Sequence, residues 1–403
     1  MEDSSGSKAN VAIINNLVAS GFDVIVYHYT LKNIQLKGVT CYAIPEIKYS
    51  PLYFLSRIQR VLARNFNIDI SSFLQGIFGF SFTFFNDCNS IVKALKKNDS
   101  KPDLVLTLSK GASFRPHYAL LKLPEWHEKW MAYVHDPYPF HFYPRPFNYV
   151  ESCYKFKEDF FRSVAQMAKF SAFPSQLLLE WMGSYFPEFL NTGVLIPHQI
   201  TNYKLESTSL PSYFNSSKFN LLHAGNLLKE RSPKGLLDGF VLFLQQNPEA
   251  RKEAVLHVIG PASSHEYLLK QYEIDFPEIN ILNKSVAFNE VYLLQKQTTV
   301  NIILESKSEI SPFLPAKFPH CVEANKTILL LAPYYSETRR LLGDDYPYWS
   351  EVDNVEKIAA LIETLYKKWQ LNPNDLLLNQ PHLTGYLSTS FLKNTIDGLV
   401  TGE

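Results

Sequence analysis

Short apolar segments alternate with longer amphipathic segments along most of the chain. Seven of the apolar segments predict buried strands, and each is continuous in apolar character, as expected for parallel strands that are covered on both faces. These segments are residues 23–27, 103–107, 131–135, 219–223, 255–259, 300–304 and 327–331. Alternation of strands with helices is typical of an α/β protein with parallel sheets.

The amphipathic segments between the strands predict helices. Val11, Ile14 and Leu17 fall on one helix face, with Ser5 or Ser7 as the N-cap. Similar faces occur within residues 236–244 and 358–365. The alternation runs twice, so we expect two doubly wound domains that face each other across a cleft. Ligands in such sheets bind at the carboxyl ends of the strands.

A polar stretch separates the two sets of strands. Residues 202–217 contain five Ser and one Pro, and a new strand begins at Phe219. The predicted organisation is therefore an N-terminal domain, a linker, a C-terminal domain, and a final helical segment that packs back on the first domain. Their predicted ranges are 1–200, 201–217, 218–375 and 376–403.

Charge and cysteine content narrow the function classes. The 403 residues include 39 Lys and Arg against 39 Asp and Glu, a balance that argues against a nucleic-acid partner. The four cysteines lie far apart, without metal-ligand or disulfide-framework spacing. The first residues lack the apolar core of a secretory signal, and no apolar run reaches the roughly 20 residues of a spanning helix. We therefore expect a cytoplasmic protein.

The segment after the strand at Phe219 carries the clearest chemistry. The strand runs into Gly225 and Asn226, then into a loop with the cations Arg231 and Lys234, and a helix is predicted to begin near Pro233. A helix start presents free backbone N–H groups and the positive end of the helix dipole, so this loop would suit a diphosphate. A solvated loop with ordinary surface charges explains the same residues.

A second candidate segment lies between the strands at residues 300–304 and 327–331. Three prolines stiffen it. Lys317, His320 and Glu323 are spaced three apart, so they would share one face if this segment is helical. Its position after a buried strand is that of a ligand-binding loop in a doubly wound domain.

A third candidate segment follows the strand at residues 131–135. His135 and Asp136 could accept a proton from an attacking hydroxyl, or hydrogen-bond to it. Tyr138 and Phe140 offer flat faces for sugar rings. A proline-stiffened loop with packed aromatic side chains and a capping Asp is the structural alternative.

Taken in order along the chain, these segments resemble glycosyltransferases of the GT-B fold, close to the large retaining family four. The loop from Gly225 to Gly235 resembles the donor-phosphate loop of that family. Residues 315–329 resemble its segment P-x-K-L-x-E-Y-x-A-x-G-K-P-V, residues 173–176 resemble its strand-end element, and residues 196–198 resemble its inter-domain element. Two glutamates of that family, spaced E-x7-E, would fall on Pro312 and His320 and are therefore missing.

The resemblance implies roles for particular residues. Charge stabilisation is assigned to Arg231 and Lys234, and His135 or Asp136 is assigned as the base if the reaction inverts the anomeric carbon. The implied donor-binding residues are Gly225, Asn226, Arg231, Lys234, Lys317, His320 and Glu323. The implied acceptor-binding residues are Ser5, Gly6, Tyr138 and Phe140.

The start of the chain also departs from the family. Residues 4–7 look like the end of the Gly-rich turn that follows a first strand in this fold, yet no strand precedes them. We therefore predict that Met1 is an internal start, or that the sequence is a fragment that lacks the first strand.

The function implied by the resemblance is transfer of a sugar from a nucleotide-diphosphate donor to a hydroxyl of a carbohydrate or lipid-linked acceptor, without a metal or other cofactor. Polysaccharide or glycolipid synthesis is the implied setting. Two alternatives stay open: a nucleotide-sugar 2-epimerase of the same architecture, and a non-catalytic scaffold that has lost donor binding.

The sequence also suggests a contact with a membrane. Residues 54–64 form a basic amphipathic helix that could rest on anionic lipid at the inner face of a membrane. The favoured interpretation of this segment is a helix that covers the first sheet with its arginines in water.

Overall fold

The computed structural model describes residues 5–29, 33–66, 71–97, 100–109, 111, 113–151, 153–200 and 209–402. The chain divides into two compact units. The first unit comprises residues 1–143, 148–199 and 389–403, and the second comprises residues 144–147 and 200–388. Part of the predicted linker, residues 201–208, lies outside the described residues.

The first unit holds two parallel sheets. Its strands are β1 Ile25–His28, β2 Thr40–Ala43, β3 Val105–Thr107, β4 Trp130–Tyr133, β5 Phe170–Phe173 and β6 Gly193–Leu195. Strands β3, β4, β5 and β6 pair in that order, whereas β1 and β2 pair only with each other among the described residues. Its helices up to residue 192 are α1 Ser5–Ala19, α2 Pro51–Phe66, α3 Ser71–Phe78, α4 Phe82–Leu95, α5 Arg115–Leu120, α6 Tyr154–Met167, α7 Gln176–Gly183 and α8 Glu188–Thr192.

Helix α1 begins earlier than the sequence analysis expected. Ser5 and Gly6 lie in its first turn, so residues 5–7 are helical and do not end a Gly-rich turn. Ile13 of α1 packs against Met131 and Tyr133 of β4, which explains why its apolar positions recur at helical spacing. The prediction about the start of the chain stays a prediction.

The second unit is built on a six-stranded parallel sheet. The strands of this unit are β7 Phe219–Ala224, β8 Ala254–Ile259, β9 Ile279–Leu282, β10 Val300–Leu304, β11 Ile310–Ser311, β12 Thr327–Leu331, β13 Tyr335–Ser336 and β14 Trp349–Ser350. Its helices are α9 Lys234–Gln246, α10 Glu266–Asp275, α11 Phe288–Gln297, α12 Phe318–Glu323, α13 Glu337–Leu342, α14 Val355–Leu371 and α15 Pro381–Tyr386. Strands β11 and β13 form a separate pair.

The order of the large sheet is β14-β12-β10-β7-β8-β9. Counted along the chain this is the Rossmann order 3-2-1-4-5-6, in which the direction of winding reverses between the first and the fourth strand. The reversal here lies between β7 and β10, which are hydrogen-bonded neighbours. A crevice opens at the carboxyl ends of the two strands at such a switch point, and ligands of this fold bind there.

Apolar side chains cover both faces of the large sheet, as its continuous apolar strands predicted. Ile302 and Leu304 of β10 pack in the cluster that holds Phe240 of α9, whereas Ile303 packs on the opposite face with Phe318 of α12. Within the sheet, His257 is buried as a structural residue. Its ring nitrogens lie 2.9 Å from Oδ1 of Asn220 and 3.0 Å from Nδ2 of Asn280, so its polar atoms are satisfied.

The C-terminal segment is shared between the units. Leu383 of α15 and Leu387 pack with Phe318 and Cys321, so the second unit extends to Ser388 rather than to the predicted residue 375. The last helix, α16 Thr389–Thr401, belongs to the first unit, where the Thr389 carbonyl accepts a hydrogen bond from Ser20 (3.3 Å). Leu392 and Ile396 pack beside α1 in the same cluster as Ile13.

The start of α9 supplies a test of packing. A Cβ at Gly235 would lie 2.1 Å from the carbonyl oxygen of Val352, a backbone atom that cannot move aside cheaply. We expect Gly235→Ala to lower the free energy of unfolding by about 1–3 kcal/mol, as overpacking does in well-packed cores. Urea unfolding measures this change.

The matched control is Gly385→Ala in α15, where no atom lies within 4 Å of the added Cβ. This variant should keep the stability of the parent or gain a few tenths of a kcal/mol, because Ala favours the helix over Gly. Equal stability of the two variants would contradict the predicted clash.

Candidate functional site

The loop after β7 passes very close to the loop after β8. Gly225 has φ +149° and Gly260 has φ +135°, and a Cβ at Gly260 would lie 2.3 Å from the Gly225 carbonyl oxygen. L side chains rarely adopt either φ value, and at Gly260 there is also no space for a Cβ, so glycine is required there. The backbone at the carboxyl end of β7 is thereby held in one conformation beside the switch point.

Lys317 reaches this point from the start of α12. Its Nζ donates a hydrogen bond to the carbonyl oxygen of Ile302 in β10 (3.0 Å) and lies 3.2 Å from Nδ1 of His223 in β7. The amine therefore bridges the two strands between which the winding reverses. Burial lowers the pKa of Lys317 to about 7, and the nearby Arg231 acts in the same direction.

Arg231 is the second cation of the site. Its Nη1 donates to the carbonyl oxygen of Asn226 (3.2 Å), which folds the loop between β7 and α9 back on itself. Its Nε is buried and has no hydrogen-bond partner among the described residues. Burial lowers the pKa of Arg231, and Glu305 opposes that shift.

Glu305 is the buried acidic group that faces both cations. It follows β10 directly, and its carboxylate accepts a hydrogen bond from Oγ of Ser336 (3.0 Å). Burial raises the pKa of Glu305, while its hydrogen bonds and Arg231 act in the opposite direction. One carboxylate therefore balances part of the charge of Arg231 and Lys317.

The imidazole of His223 completes the cluster. Burial holds its pKa well below the ordinary range, and the two neighbouring cations act in the same direction, so the ring is neutral at pH 7. Its Nε2 is buried without a hydrogen-bond partner in the described part of the chain. The site thus combines two cations, an unpaired imidazole nitrogen and backbone at a strand end, which together suit a polyanionic group such as a diphosphate.

The other residues predicted to bind the donor have partners away from this cluster. Lys234 begins α9, but its Nζ forms an ion pair with Asp238 one turn later (2.5 Å). Glu323 accepts a hydrogen bond from the Tyr292 hydroxyl (2.5 Å) and lies 3.6 Å from Nζ of Lys296, so its carboxylate is held by α11. Lys317 is the N-cap of α12 and its amine contacts β7 and β10, whereas Glu323 in the last turn contacts α11.

His320 lies between Lys317 and Glu323 in the sequence. It is buried in α12, with its ring 5.1 Å from that of Phe288 and its Nδ1 4.0 Å from the Glu323 carboxylate. Asn226 is exposed, and its backbone oxygen rather than its side chain takes part in the Arg231 contact.

In the first unit, His135 and Asp136 follow β4, and His198 follows β6. The rings of His135 and His198 are stacked, with centroids 6.1 Å apart, and Nε2 of His135 is buried without a partner among the described residues. Burial and the neighbouring histidines hold the pKa of His135 well below its usual range. Burial raises the pKa of Asp136 to about 6. Asp136 is therefore a stronger base than an ordinary carboxylate and still mostly ionised at pH 7, whereas His135 is neutral and a weak base.

The predicted acceptor-binding residues are less well placed. Tyr138 is 3% exposed, with its ring 4.6 Å from that of Phe114, so it is a core residue and its proposed stacking on a sugar is wrong. Phe140 is half-buried and contacts the ring of Tyr149 (5.6 Å). Gly6 contributes backbone in the first turn of α1, and the Ser5 side chain lies outside the described part of the structure.

Glu305 and His223 are not among the residues that the sequence analysis selected. Glu305 directly follows a continuous apolar strand, and that position was the signal that could have identified it. His223 lies within a strand, where a histidine is usually a satisfied core residue, but its neighbour across the switch point is a lysine. No group of three or more His, Cys, Asp or Glu side chains that could hold a metal occurs among the residues described.

Comparison with known proteins identifies the fold. No family model and no curated protein matches the sequence. Among solved structures, a UDP-forming trehalose-phosphate synthase from Burkholderia xenovorans aligns with a TM-score of 0.59 at 12% identity, covering 94% of this chain and 93% of that chain. A glycosyltransferase from Rickettsia africae aligns with a TM-score of 0.61 at 11% identity, covering 98% and 94%.

A third neighbour was solved with a nucleotide. The Anabaena protein HepE in complex with UDP aligns with a TM-score of 0.54 at 11% identity, covering 78% of this chain and 82% of that chain. This chain has the GT-B fold. The fold predicted from the order of its segments is therefore confirmed.

Lys317 makes anion binding pH-dependent. With a pKa of about 7, its amine is mostly neutral above pH 8 in the free protein, and a bound diphosphate would favour the ammonium form. We expect the affinity for UDP or GDP to fall as the pH rises from 7 to 9, with protons taken up on binding. Calorimetry in buffers of different ionisation enthalpy measures the uptake.

Lys317→Met is the matched variant. It should bind the nucleotide more weakly and without this proton uptake, because the titrating group is gone. Uptake at pH 8 that is the same in the parent and in Lys317→Met would contradict the assignment.

Proposed function

We propose that the protein is a glycosyltransferase that moves a sugar from a nucleotide-diphosphate donor to a hydroxyl. The observation that carries this proposal is the cluster of Arg231, Lys317 and His223 at the switch point of the second unit. Support comes from the GT-B fold and from two neighbours, one described as UDP-forming and one solved with UDP.

The chemistry of transfer requires charge stabilisation at the leaving group. As the bond from the sugar to the diphosphate breaks, negative charge grows on the phosphate oxygens while the sugar becomes oxocarbenium-like. Arg231 and Lys317 would donate to those oxygens, and backbone N–H groups at the start of α9 would add to them. Fixed donors of this kind stabilise the transition state without reorganising during the reaction.

Lys234 must break its ion pair with Asp238 before it can bind the donor. Its ammonium must leave Asp238, and the ion pair is solvent-exposed, so its loss costs little. In this proposal Lys234 binds the donor only when the diphosphate is present, whereas Arg231 and Lys317 are already positioned.

The acceptor hydroxyl must lose a proton. In an inverting reaction His135 or Asp136 would be the base, and the raised pKa of Asp136 makes it the better suited of the two. Resemblance to family four favours retention instead, in which the departing diphosphate itself would take the proton. The donor site is the same in both cases.

The acceptor class follows from the resemblance. In this proposal the acceptor is a carbohydrate or a lipid-linked sugar in polysaccharide or glycolipid synthesis, within the cytoplasm. No helix among the described residues is long and apolar enough to cross a membrane. Contact with the inner face of a membrane would bring the protein to a lipid-linked acceptor. The reaction as proposed uses no metal or other cofactor.

Arg231→Ala tests the proposal. It removes a buried cation from the leaving-group site and should lower kcat/KM on the order of 10²-fold or more, as loss of one preorganised donor does in other enzymes. The assay follows release of nucleoside diphosphate and of the glycosylated product from a panel of nucleotide sugars. Lys229→Ala removes an exposed cation of the same loop and should leave turnover unchanged.

The products also separate the alternatives. Release of UDP or GDP with transfer to an acceptor supports the transferase. Interconversion of sugar epimers without an acceptor would indicate the 2-epimerase. If calorimetry detects no binding of UDP or GDP, the scaffold alternative is favoured and the proposed function fails.

A further inference from the structure

Helices α2 and α3 of the first unit carry large apolar side chains on their exposed sides. On α2 these side chains are 42–56% exposed, and on α3 they are 47–69% exposed. We call this surface the α2–α3 face, and its residues are Phe54, Leu55, Ile58, Val61, Phe73, Ile77 and Phe78.

The orientation of α2 is the reverse of that of an ordinary covering helix. Phe54, Ile58 and Val61 are spaced i, i+4 and i+7, so they form one stripe along the helix, and that stripe faces outward. The small polar Ser56 faces inward and is 2% exposed. The interpretation favoured from the sequence, that this apolar stripe covers the first sheet, is therefore wrong.

Helix α4 shows the contrast within the same unit. Its Phe84, Ile91 and Leu95 are buried in the main cluster of the unit, as the apolar stripe of a surface helix normally is. The exposure of the α2–α3 face is thus a local property and not a general feature of these helices.

The position of α3 is fixed by close contacts at its end. Gly79 has φ +76°, and a Cβ there would lie 2.4 Å from Cβ of Phe156 at the start of α6. Gly76 lies against Cys153, with its Cβ position 3.9 Å from Sγ. Gly79, directly after α3, is therefore held against α6, while Phe73 and Ile77 of α3 are exposed.

The charged residues of helix α2 are all cations. Residues 48–66 contain Lys48, Arg57, Arg60 and Arg64 and no Asp or Glu, although the whole chain has equal numbers of cations and anions. Helix α3 has no charged residue. Arg60 and Arg64 are exposed beside the apolar stripe, and Arg57 lies 3.5 Å from Glu46 at its edge.

We propose that the α2–α3 face docks on the surface of an anionic phospholipid bilayer. Its aromatic and aliphatic side chains would enter the boundary between headgroups and acyl chains, and Arg60 and Arg64 would contact the lipid phosphates. A contact between two copies of this face would bring the same arginines against each other, so charge disfavours self-association there. An anionic bilayer matches both the apolar and the cationic parts.

This inference concerns the first unit alone and does not depend on the transfer reaction. The donor cluster lies in the second unit, so nucleotide binding and lipid binding can be lost separately. A variant of the α2–α3 face is therefore expected to keep its affinity for UDP or GDP.

Co-sedimentation of the full chain with vesicles tests the proposal. The probes are vesicles of phosphatidylcholine alone and of phosphatidylcholine mixed with phosphatidylglycerol. We expect the parent to sediment with the mixed vesicles at low salt, to bind them less as salt rises, and to bind the neutral vesicles at least 10-fold more weakly.

Two variants separate the apolar and the cationic contributions. Phe54→Ser with Ile58→Ser removes two exposed apolar side chains and should weaken binding to both vesicle types at least 10-fold. Arg60→Gln with Arg64→Gln should weaken binding to the mixed vesicles about 5-fold for each removed charge and leave binding to neutral vesicles unchanged.

The matched control is Tyr267→Ser with Ile274→Ser on α10. These side chains are 78% and 71% exposed but lie in the second unit, so this variant should bind vesicles like the parent. Thermal unfolding of all variants checks that the fold is kept.

Three results would overturn the proposal. One is equal binding of the parent, the Phe54→Ser/Ile58→Ser variant and the control to mixed vesicles. Another is an oligomer in sedimentation velocity that dissociates in the Phe54→Ser/Ile58→Ser variant while the parent binds no vesicles, which would identify a second copy as the partner. Absence of both vesicle binding and self-association in the parent would likewise reject the bilayer.

Discussion

Two partly buried cations at one strand junction are the constraint on which the second unit depends. Arg231 and Lys317 repel each other, and burial penalises both charged forms, while Glu305 and the backbone carbonyls of Asn226 and Ile302 oppose that cost. A bound polyanion would relieve the remaining repulsion. The glycines at 225 and 260 matter for the same reason, since they hold the backbone that carries Asn226 and accepts the Arg231 hydrogen bond.

Most of the fold could be predicted from the sequence because its signals are local. The predicted strand at residues 300–304 has the same bounds as the observed strand. The helix after the loop that follows β7 begins at Lys234, next to the predicted Pro233. The division of the C-terminal segment could not be predicted, because Leu383 and Leu392 are both apolar helix residues. Only their partners, Phe318 in one case and Ile13 in the other, distinguish the two units.

The site was predicted in part for a similar reason. Gly225, Arg231 and Lys317 follow strand ends, and strand ends are visible in a sequence. Which group an individual side chain contacts is not visible, so Lys234 and Glu323 were grouped with them although Asp238 and Tyr292 hold those two. Tyr138 was misjudged because a tyrosine that stacks on a ligand and one that fills a core have the same neighbours in sequence. Glu305 was missed because a single carboxylate after a strand has many structural explanations.

The return of the last helix to the first unit has a consequence for biosynthesis. Leu392 and Ile396 cover Met131 and Tyr133, yet they are synthesised only after the whole second unit, which ends at Ser388. The nascent first unit therefore waits with part of its apolar sheet surface uncovered while the second unit is being synthesised, a period in which chaperones have a surface to protect.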